Sequence, residues 1–104
     1  MKQNEKRTPH YKLEKIKDLI NKNNYCITRI AVENARNDFN IKSTDIPAFI
    51  MQLDNAKFYK SMTSEHSHKV WQDVYHLDIK NNTAYIKLQV SENNTSVIIQ
   101  FKRK

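Results

Sequence analysis

Five polar side chains stand on the predicted exposed sides of four different strands: Lys60, Gln72, Tyr85, Lys87 and Lys102. Because side chains alternate between the two faces of a strand, a sheet can gather such residues on one surface. Lysine and tyrosine side chains transfer protons when their pKa values are perturbed, and a glutamine amide can orient a hydroxyl or a phosphate.

This combination is sufficient, in principle, to cleave RNA without a metal ion. The 2′-hydroxyl must lose a proton and attack the adjacent phosphorus, and the leaving 5′-oxygen must gain a proton. Positive groups must also stabilise the extra negative charge on the phosphate. The same residue types are common on solvated sheet faces, so the pattern alone leaves both interpretations open.

Other chemistries have less support in the sequence. The chain contains no glycine, which excludes glycine-rich phosphate-binding loops. His66 and His68 offer two ligands where a zinc site needs more, so we predict a solvated loop, with no metal and no cofactor. Cys26 is the only cysteine, and its neighbours Tyr25 and Ile27 favour a buried small hydrophobe over a catalytic thiol.

The length of 104 residues suits one domain, spanning residues 1–104. The formal net charge of +7 favours a polyanionic partner such as nucleic acid or an acidic protein. No stretch is apolar enough to cross a bilayer or to serve as a signal peptide, so no membrane association is expected. The single cysteine agrees with a reducing compartment, and the expected location is the cytoplasm.

The first half of the chain has the apolar spacing of helices. Residues 1–7 are polar and are predicted to be flexible. Thr8 and Pro9 have the types that begin a helix, Thr28 is placed to cap a second, and Thr44 and Asp45 are placed to open a third.

From residue 57 the period changes to that of strands. Residues 57–63, 70–77, 83–90 and 96–102 are predicted strands, and the third alternates cleanly between apolar and polar residues. Asn81-Asn82 and Asn93-Asn94 are candidate turns, because asparagine tolerates positive φ. The predicted fold class is α+β, with N-terminal helices packed on a mainly antiparallel sheet.

Six short stretches together resemble the MqsR toxins, a family whose fold is similar to that of the RelE and YoeB ribonuclease toxins. The stretches are residues 6–10, 28–31, 58–63 (FYKSMT), 71–75 (WQDVY), 85–87 (YIK) and 101–102 (FK). The two long strand motifs are the specific part, and the resemblance covers residues 6–102.

The resemblance implies a function and partners. MqsR-like toxins are endoribonucleases that cut free messenger RNA at short GC-containing sequences without the ribosome. A protein antitoxin with a zinc-binding and a DNA-binding domain (MqsA-like) keeps them silent. Operator DNA is bound only through that complex.

The family's catalytic residues correspond to Lys60, Gln72, Tyr85 and Lys102 in this chain. We expect Tyr85 and Lys60 to share proton transfer and phosphate contact, and Lys102 to neutralise phosphate charge. Gln72 would position the 2′-hydroxyl or read a base edge.

Three further residues, Arg7, Lys87 and His10, are predicted to bind RNA. His10 has an equally reasonable structural role at a helix end. Two rival functions stay open at this point: a basic nucleic-acid-binding or regulatory protein without catalysis, and an interaction module that binds an acidic partner.

Overall fold

The computed structural model describes residues 3–104, which form three α-helices and six β-strands. The helices are α1 (Leu13–Asn21), α2 (Arg29–Phe39) and α3 (Ile46–Met51). The strands are β1 (Glu5–Lys6), β2 (Tyr25–Ile27), β3 (Phe58–Ser64), β4 (Ser67–Ile79), β5 (Asn82–Val90) and β6 (Val97–Arg103). Short 3-10 turns at Ser43–Asp45 and Asn55–Lys57 precede α3 and β3.

The six strands form one sheet in the order β1-β3-β4-β5-β6-β2. All neighbours are antiparallel except β2, which runs parallel to β6. The predicted α+β class with a mainly antiparallel sheet is confirmed, and so are the four predicted strands. The short strands β1 and β2 at the two edges were not predicted, because neither has enough residues to show a period.

The core lies between the helices and one face of the sheet. Strand β5 shows the alternation most clearly: Ala84, Ile86, Leu88 and Val90 are buried, and the residues between them are not. Each helix contributes buried residues spaced three or four apart to this core, as an amphipathic helix must. Within residues 3–104, no helix has the length and apolar character needed to span a bilayer.

The predicted start of α2 is confirmed, whereas that of α1 is wrong. The Thr28 hydroxyl accepts a hydrogen bond from the Ala31 amide, as an N-cap should. Helix α1 begins at Leu13 instead of after Thr8. The reason is tertiary: the amides of His10 and Tyr11 donate to the Asp73 carboxylate, which holds this segment in a non-helical path.

The predicted flexibility of residues 1–7 also needs correction. Glu5 and Lys6 form β1 and pair with Met62 and Ser61 of β3. The Asn4 amide donates to the Thr63 hydroxyl, so Asn4, the residue before β1, is also held against β3. Residues 1 and 2 lie outside the described part of the chain.

Two smaller predictions are wrong for identifiable reasons. Cys26 is exposed, because β2 is an edge strand whose Tyr25 and Ile27 turn towards the core and leave Cys26 on the other side. The β4–β5 turn uses Lys80 rather than Asn81 or Asn82 at positive φ. Three asparagines do occupy positive φ, at positions 23, 40 and 94.

Candidate active site

The face of the sheet turned away from the helices carries the candidate site, and we call it the open face. Residues directly opposite each other on neighbouring strands point to the same side of a sheet. The register therefore arranges the open-face residues in three rows across the strands. The rows are His76, Tyr85 and Lys102; Lys60, Val74, Lys87 and Gln100; and Met62, Gln72, Gln89 and Ile98.

Tyr85 is the centre of the first row. The Lys102 ammonium lies 4.8 Å from the centroid of the Tyr85 ring, and the His76 ring centroid lies 5.6 Å away on the other side. Burial raises the pKa of Tyr85, and the positive charge of Lys60 opposes that rise. The phenol thus stays protonated at neutral pH while cations surround it.

A β-bulge in β3 brings two consecutive side chains to the open face. The register shifts between Phe58 and Lys60, leaving Tyr59 as the extra residue. Tyr59 stacks on His76 with ring centroids 4.4 Å apart, and the Lys60 ammonium lies 5.5 Å from the centre of the Tyr59 ring. Without the bulge, strict alternation would send one of these two residues to the helix side.

Lys60 is held by an ion pair with Glu5 of β1. The side chain of Lys60 is 19% exposed, and its hydrogen bond to Glu5 raises the pKa of the lysine. The same bond lowers the pKa of Glu5. Arg7, two residues further along, lies 5.6 Å from the centroid of the Tyr59 ring. The N-terminal segment therefore supplies one negative and one positive side chain to this edge of the open face.

Lys87 lies in the middle row, one strand beyond Val74. Burial lowers the pKa of Lys87, and the positive charges of Lys102 and Lys60 lower it further against the opposing influence of Glu65. Lys60 and Lys87 are two strand spacings apart, about 10 Å between backbones. Val74 is fully buried between them, so two lysines border a small apolar floor.

Gln72 lies in the third row and is almost covered, with 7% of its surface exposed. Its amide nitrogen donates to the side-chain oxygen of Gln89 at 3.1 Å. The third row is about 13 Å from the Tyr85 row along the strands. Gln72 is therefore on the same face as Tyr85 but apart from it, and it holds Gln89 in place.

His10 lies on the other side of the sheet. Its ring stacks on Trp71 at 5.5 Å, and its amide donates to Asp73, which faces Leu88 in the core layer. The nearby Lys6 ammonium is 2.9 Å from Nδ1. Burial lowers the pKa of His10, and the Lys6 charge lowers it further. The structure thus separates His10 from the six other predicted site residues.

Three residues that shape this face were not among the predicted site residues: Glu5, Tyr59 and His76. Period-two alternation from Gln72 through Val74 would have placed His76 on the open face. No local signal marks the bulge at Tyr59 or the pairing of Glu5. The Nε2 atom of His76 is buried with no hydrogen-bond partner among the described residues, and burial lowers its pKa.

Metal-binding side chains are sparse in the described structure. Residues 3–104 contain no group of three or more histidine, cysteine, aspartate or glutamate side chains placed to hold an ion. The open face instead presents lysines, a tyrosine and amides. Such a surface binds phosphate by charge and by hydrogen bonds from nitrogen.

Comparison with known proteins gives two matches. A family model described as "Motility quorum-sensing regulator, toxin of MqsA" matches residues 8–103. The chain is also similar to the mRNA interferase toxin MqsR of Escherichia coli (strain K12). The two are 36% identical over 100 residues, which cover 96% of this chain and 99% of that relative.

Proposed function

This chain belongs to the MqsR toxin family, and we propose that it cuts messenger RNA at short GC-containing sequences, without a metal ion and without the ribosome. Its relative is named an mRNA interferase, and an mRNA interferase is an endoribonuclease. Endoribonuclease activity comes to this chain with the family. The site, the mechanism and the sequence preference are the proposal.

The observation that carries the proposal is the grouping of Lys60, Tyr85, Lys87 and Lys102 on the open face. These residues come from three strands and are brought within two adjacent rows. A phosphate bound above Val74 would lie between Lys60 and Lys87, with Tyr85 and Lys102 in the next row. Fixed positive groups at this point stabilise the charge that develops on the phosphate during cleavage.

The proposed reaction is an attack of the 2′-hydroxyl oxygen on the neighbouring phosphorus. A bond forms between the 2′-oxygen and phosphorus, and the bond from phosphorus to the 5′-oxygen breaks. The products are a 2′,3′-cyclic phosphate and a free 5′-hydroxyl. One group must accept the 2′-hydroxyl proton and another must donate a proton to the 5′-oxygen.

We assign the roles in proton transfer and phosphate contact from the directions of the pKa shifts. Tyr85, whose pKa is raised by burial, serves as the acid for the 5′-oxygen. Lys60, whose pKa is raised by Glu5, remains a cation and contacts the phosphate, with Lys102 beside it. Lys87, whose pKa is lowered by burial, gives up its proton most easily and serves as the base.

The remaining predicted residues bind RNA rather than transfer protons. Arg7 lies at the Tyr59 edge, where a base can stack on the exposed ring and a phosphate can meet the guanidinium. Gln72 acts through Gln89, which it orients for a base edge in the third row. His10 remains a proposed RNA contact only for a strand that passes around the β3 edge.

The family description, toxin of MqsA, implies an antitoxin partner of the MqsA type. We propose that this partner contains zinc, binds DNA and carries the toxin to operator DNA only as a complex. Co-expression tests the pairing: growth arrest by this chain alone should disappear when an MqsA-type protein is supplied. Continued growth arrest in cells that also express the folded MqsA-type protein would contradict the pairing.

A cleavage assay in EDTA tests the proposed function. A long RNA of defined sequence is incubated with the wild type, a Lys60→Ala and Tyr85→Phe double variant, and a matched Lys57→Ala and Tyr25→Phe control from outside the open face. Discrete cuts at GC-containing sites, ending in 2′,3′-cyclic phosphate and made only by the wild type and the control, support the proposal. RNA binding by a folded wild type without any cuts would indicate a non-catalytic RNA-binding protein instead.

A further inference from the structure

A cleft of about 270 Å³ opens beside the reaction site, between α2 and the end of β6. One wall comes from α2 and includes Ile30 and Asn34. The other comes from the sheet and includes Tyr85, Lys87 and Gln100. At about 30 Å³ for each water, the volume is large enough for a planar heterocyclic base.

The cleft exists because β2 is short. Strand β2 pairs with β6 only from Val97 to Ile99, and beyond that point α2 takes its place along the edge of β6. The Asn34 amide donates to the Phe101 carbonyl at 3.0 Å, which ties the helix to this free edge. A helix is wider than a strand, and its side chains leave a gap where a strand would have closed the sheet.

Ile30 forms an apolar wall of the cleft and is exposed to solvent. Two large hydrophobic residues within residues 3–104 are exposed: Ile30, at 69%, and Tyr59, at 43%. Both border the open face, Tyr59 at the β3 edge and Ile30 beyond β6. Apolar side chains at the two ends of a cationic face suit the flat faces of two unstacked bases, with the phosphate between them.

The polar groups of the cleft are free to read a base edge. No side-chain hydrogen bond within residues 3–104 engages the amide of Gln100, which lies opposite Lys87 in the middle row. Asn34 uses its nitrogen for Phe101 and keeps its oxygen as an acceptor. Lys87 and Lys102 add donors from the strand side.

From this arrangement we infer that the cleft binds one base of the RNA strand, next to the phosphate that is cut, and that Gln100 and Ile30 help to select it. The inference rests on the proposed function and extends it. Donors from lysine and glutamine match a base edge rich in acceptors, which describes guanine with O6 and N7. Tyr85, Lys87 and Lys102 border both the cleft and the reaction site, so a base in the cleft is attached to a phosphate above the middle row.

Cleavage of a library of short RNAs, varied at each position around one cut site, tests the inference. The wild type is compared with Gln100→Ala, with Ile30→Asp, and with Gln52→Ala, an exposed glutamine at the end of α3 that lies away from the face. We expect both cleft variants to reduce the preference for guanine at one position about tenfold, because a good base contact contributes discrimination of this order. Gln52→Ala should retain the wild-type preference.

The outcomes separate this inference from the proposed function. Cutting by all variants with an unchanged preference at every position would overturn the inference and leave the endoribonuclease intact. An unchanged preference combined with loss of antitoxin binding by Ile30→Asp would also overturn it, and would assign the cleft to a protein partner. No cutting by the wild type would instead contradict the proposed function. If Gln100→Ala does not fold, Ile30→Asp still tests the inference, because the Ile30 side chain is exposed on a helix surface and its replacement should not disturb folding.

Discussion

Glu5 and Lys60 are 55 residues apart in the sequence, and their side chains form an ion pair at the edge of the open face. The contact joins the two-residue strand β1 to the bulged strand β3. It fixes the position of the lysine that we assign to phosphate contact, and it places one carboxylate at the rim of a cationic surface.

Replacing Glu5 by glutamine should lower the pKa of Lys60. The hydrogen bond and the negative charge of Glu5 are causes of the raised value, and glutamine carries no charge to favour the protonated lysine. The ε-carbon resonance of Lys60, followed through a pH titration of ¹³C-lysine-labelled protein, should shift its midpoint to lower pH. An unchanged midpoint would mean that Glu5 does not control the charge of Lys60.

Tyr85→Phe should lower the rate of RNA cleavage by roughly 10² to 10⁴, the range typical of a general acid or base. No described hydrogen bond uses the Tyr85 hydroxyl, so the thermal melting temperature should stay close to that of the wild type. Single-turnover cleavage and thermal melting measure the two effects. A large fall in melting temperature would point to a structural role instead, and Tyr25→Phe on the edge strand is the matched control.

Asp73→Asn should destabilise the fold by about 1 to 3 kcal/mol. The fully buried carboxylate accepts from the Ser61 hydroxyl and from the amides of His10 and Tyr11. Asparagine has one acceptor oxygen in place of two, and its amide NH2 group would face hydrogen-bond donors. Urea denaturation measures the loss, and Asp78→Asn, an exposed position on the same strand, should change stability much less.

The same substitution should loosen the N-terminal segment. Asp73 holds residues 10 and 11, and β1 lies only a few residues upstream. We expect faster amide hydrogen exchange in residues 4–11 of Asp73→Asn than in the wild type. Equal exchange in both proteins would show that β1 is held by its pairing with β3 alone.

His76→Phe should flatten the dependence of stability on pH in the acid range. Burial lowers the pKa of His76 in the folded state, so the folded protein favours the neutral ring. The stability that this preference contributes is present above the ordinary histidine pKa of about 6.5 and is lost as the pH falls through the lower folded-state value. Phenylalanine keeps a ring for Tyr59 and does not titrate.

Urea denaturation between pH 5 and pH 8 checks this prediction, with the exposed His68→Gln as control. At neutral pH, the free energy of unfolding of His76→Phe should also be about 1 kcal/mol higher than that of the wild type. The substitution removes a buried nitrogen that has no hydrogen-bond partner among the described residues. Equal pH slopes for His76→Phe and the wild type would contradict the assignment of the titration to His76.

Lys102→Met should weaken RNA binding and reduce its dependence on salt, because Lys102 is one of the two cations that we assign to the phosphate. A lysine that neutralises one phosphate contributes about 0.7 to the slope of log affinity against log salt on a single strand. Methionine keeps the aliphatic part of the side chain but removes the charge. Binding of a non-cleavable RNA, with 2′-deoxy sugars at the cut site, measured from low to high salt gives the slope. Lys57→Met, outside the open face, should leave it close to the wild-type value.

Local sequence was informative wherever a segment's own residues decide its structure. The alternation in β5 put Ala84 and Ile86 in the core and left Tyr85 and Lys87 for the open face, as the structure has them. The Thr28 hydroxyl caps α2 because the donor and the acceptor are three residues apart. These patterns depend on a period or a short spacing, and both are visible in a single chain.

The same local reasoning failed where a distant partner decides the outcome. Thr8 and Pro9 have the types that begin a helix, yet Asp73 takes the amides that a helix would have left free. His10 followed the same segment to the helix side of the sheet, where it stacks on Trp71. No pattern within residues 1–12 contains that information.

The sequence by itself determined the class of fold, the cationic character of the chain and the strands that carry Lys60, Gln72, Tyr85 and Lys102. Tertiary structure decided which of these residues are neighbours. The strand register and the bulge place Lys60 next to the Tyr85 row and Gln72 two rows along, and β1 adds Glu5. The physical reason is that periodicity fixes the face on which a side chain lies, whereas its neighbours across the sheet depend on how separate segments pair and pack.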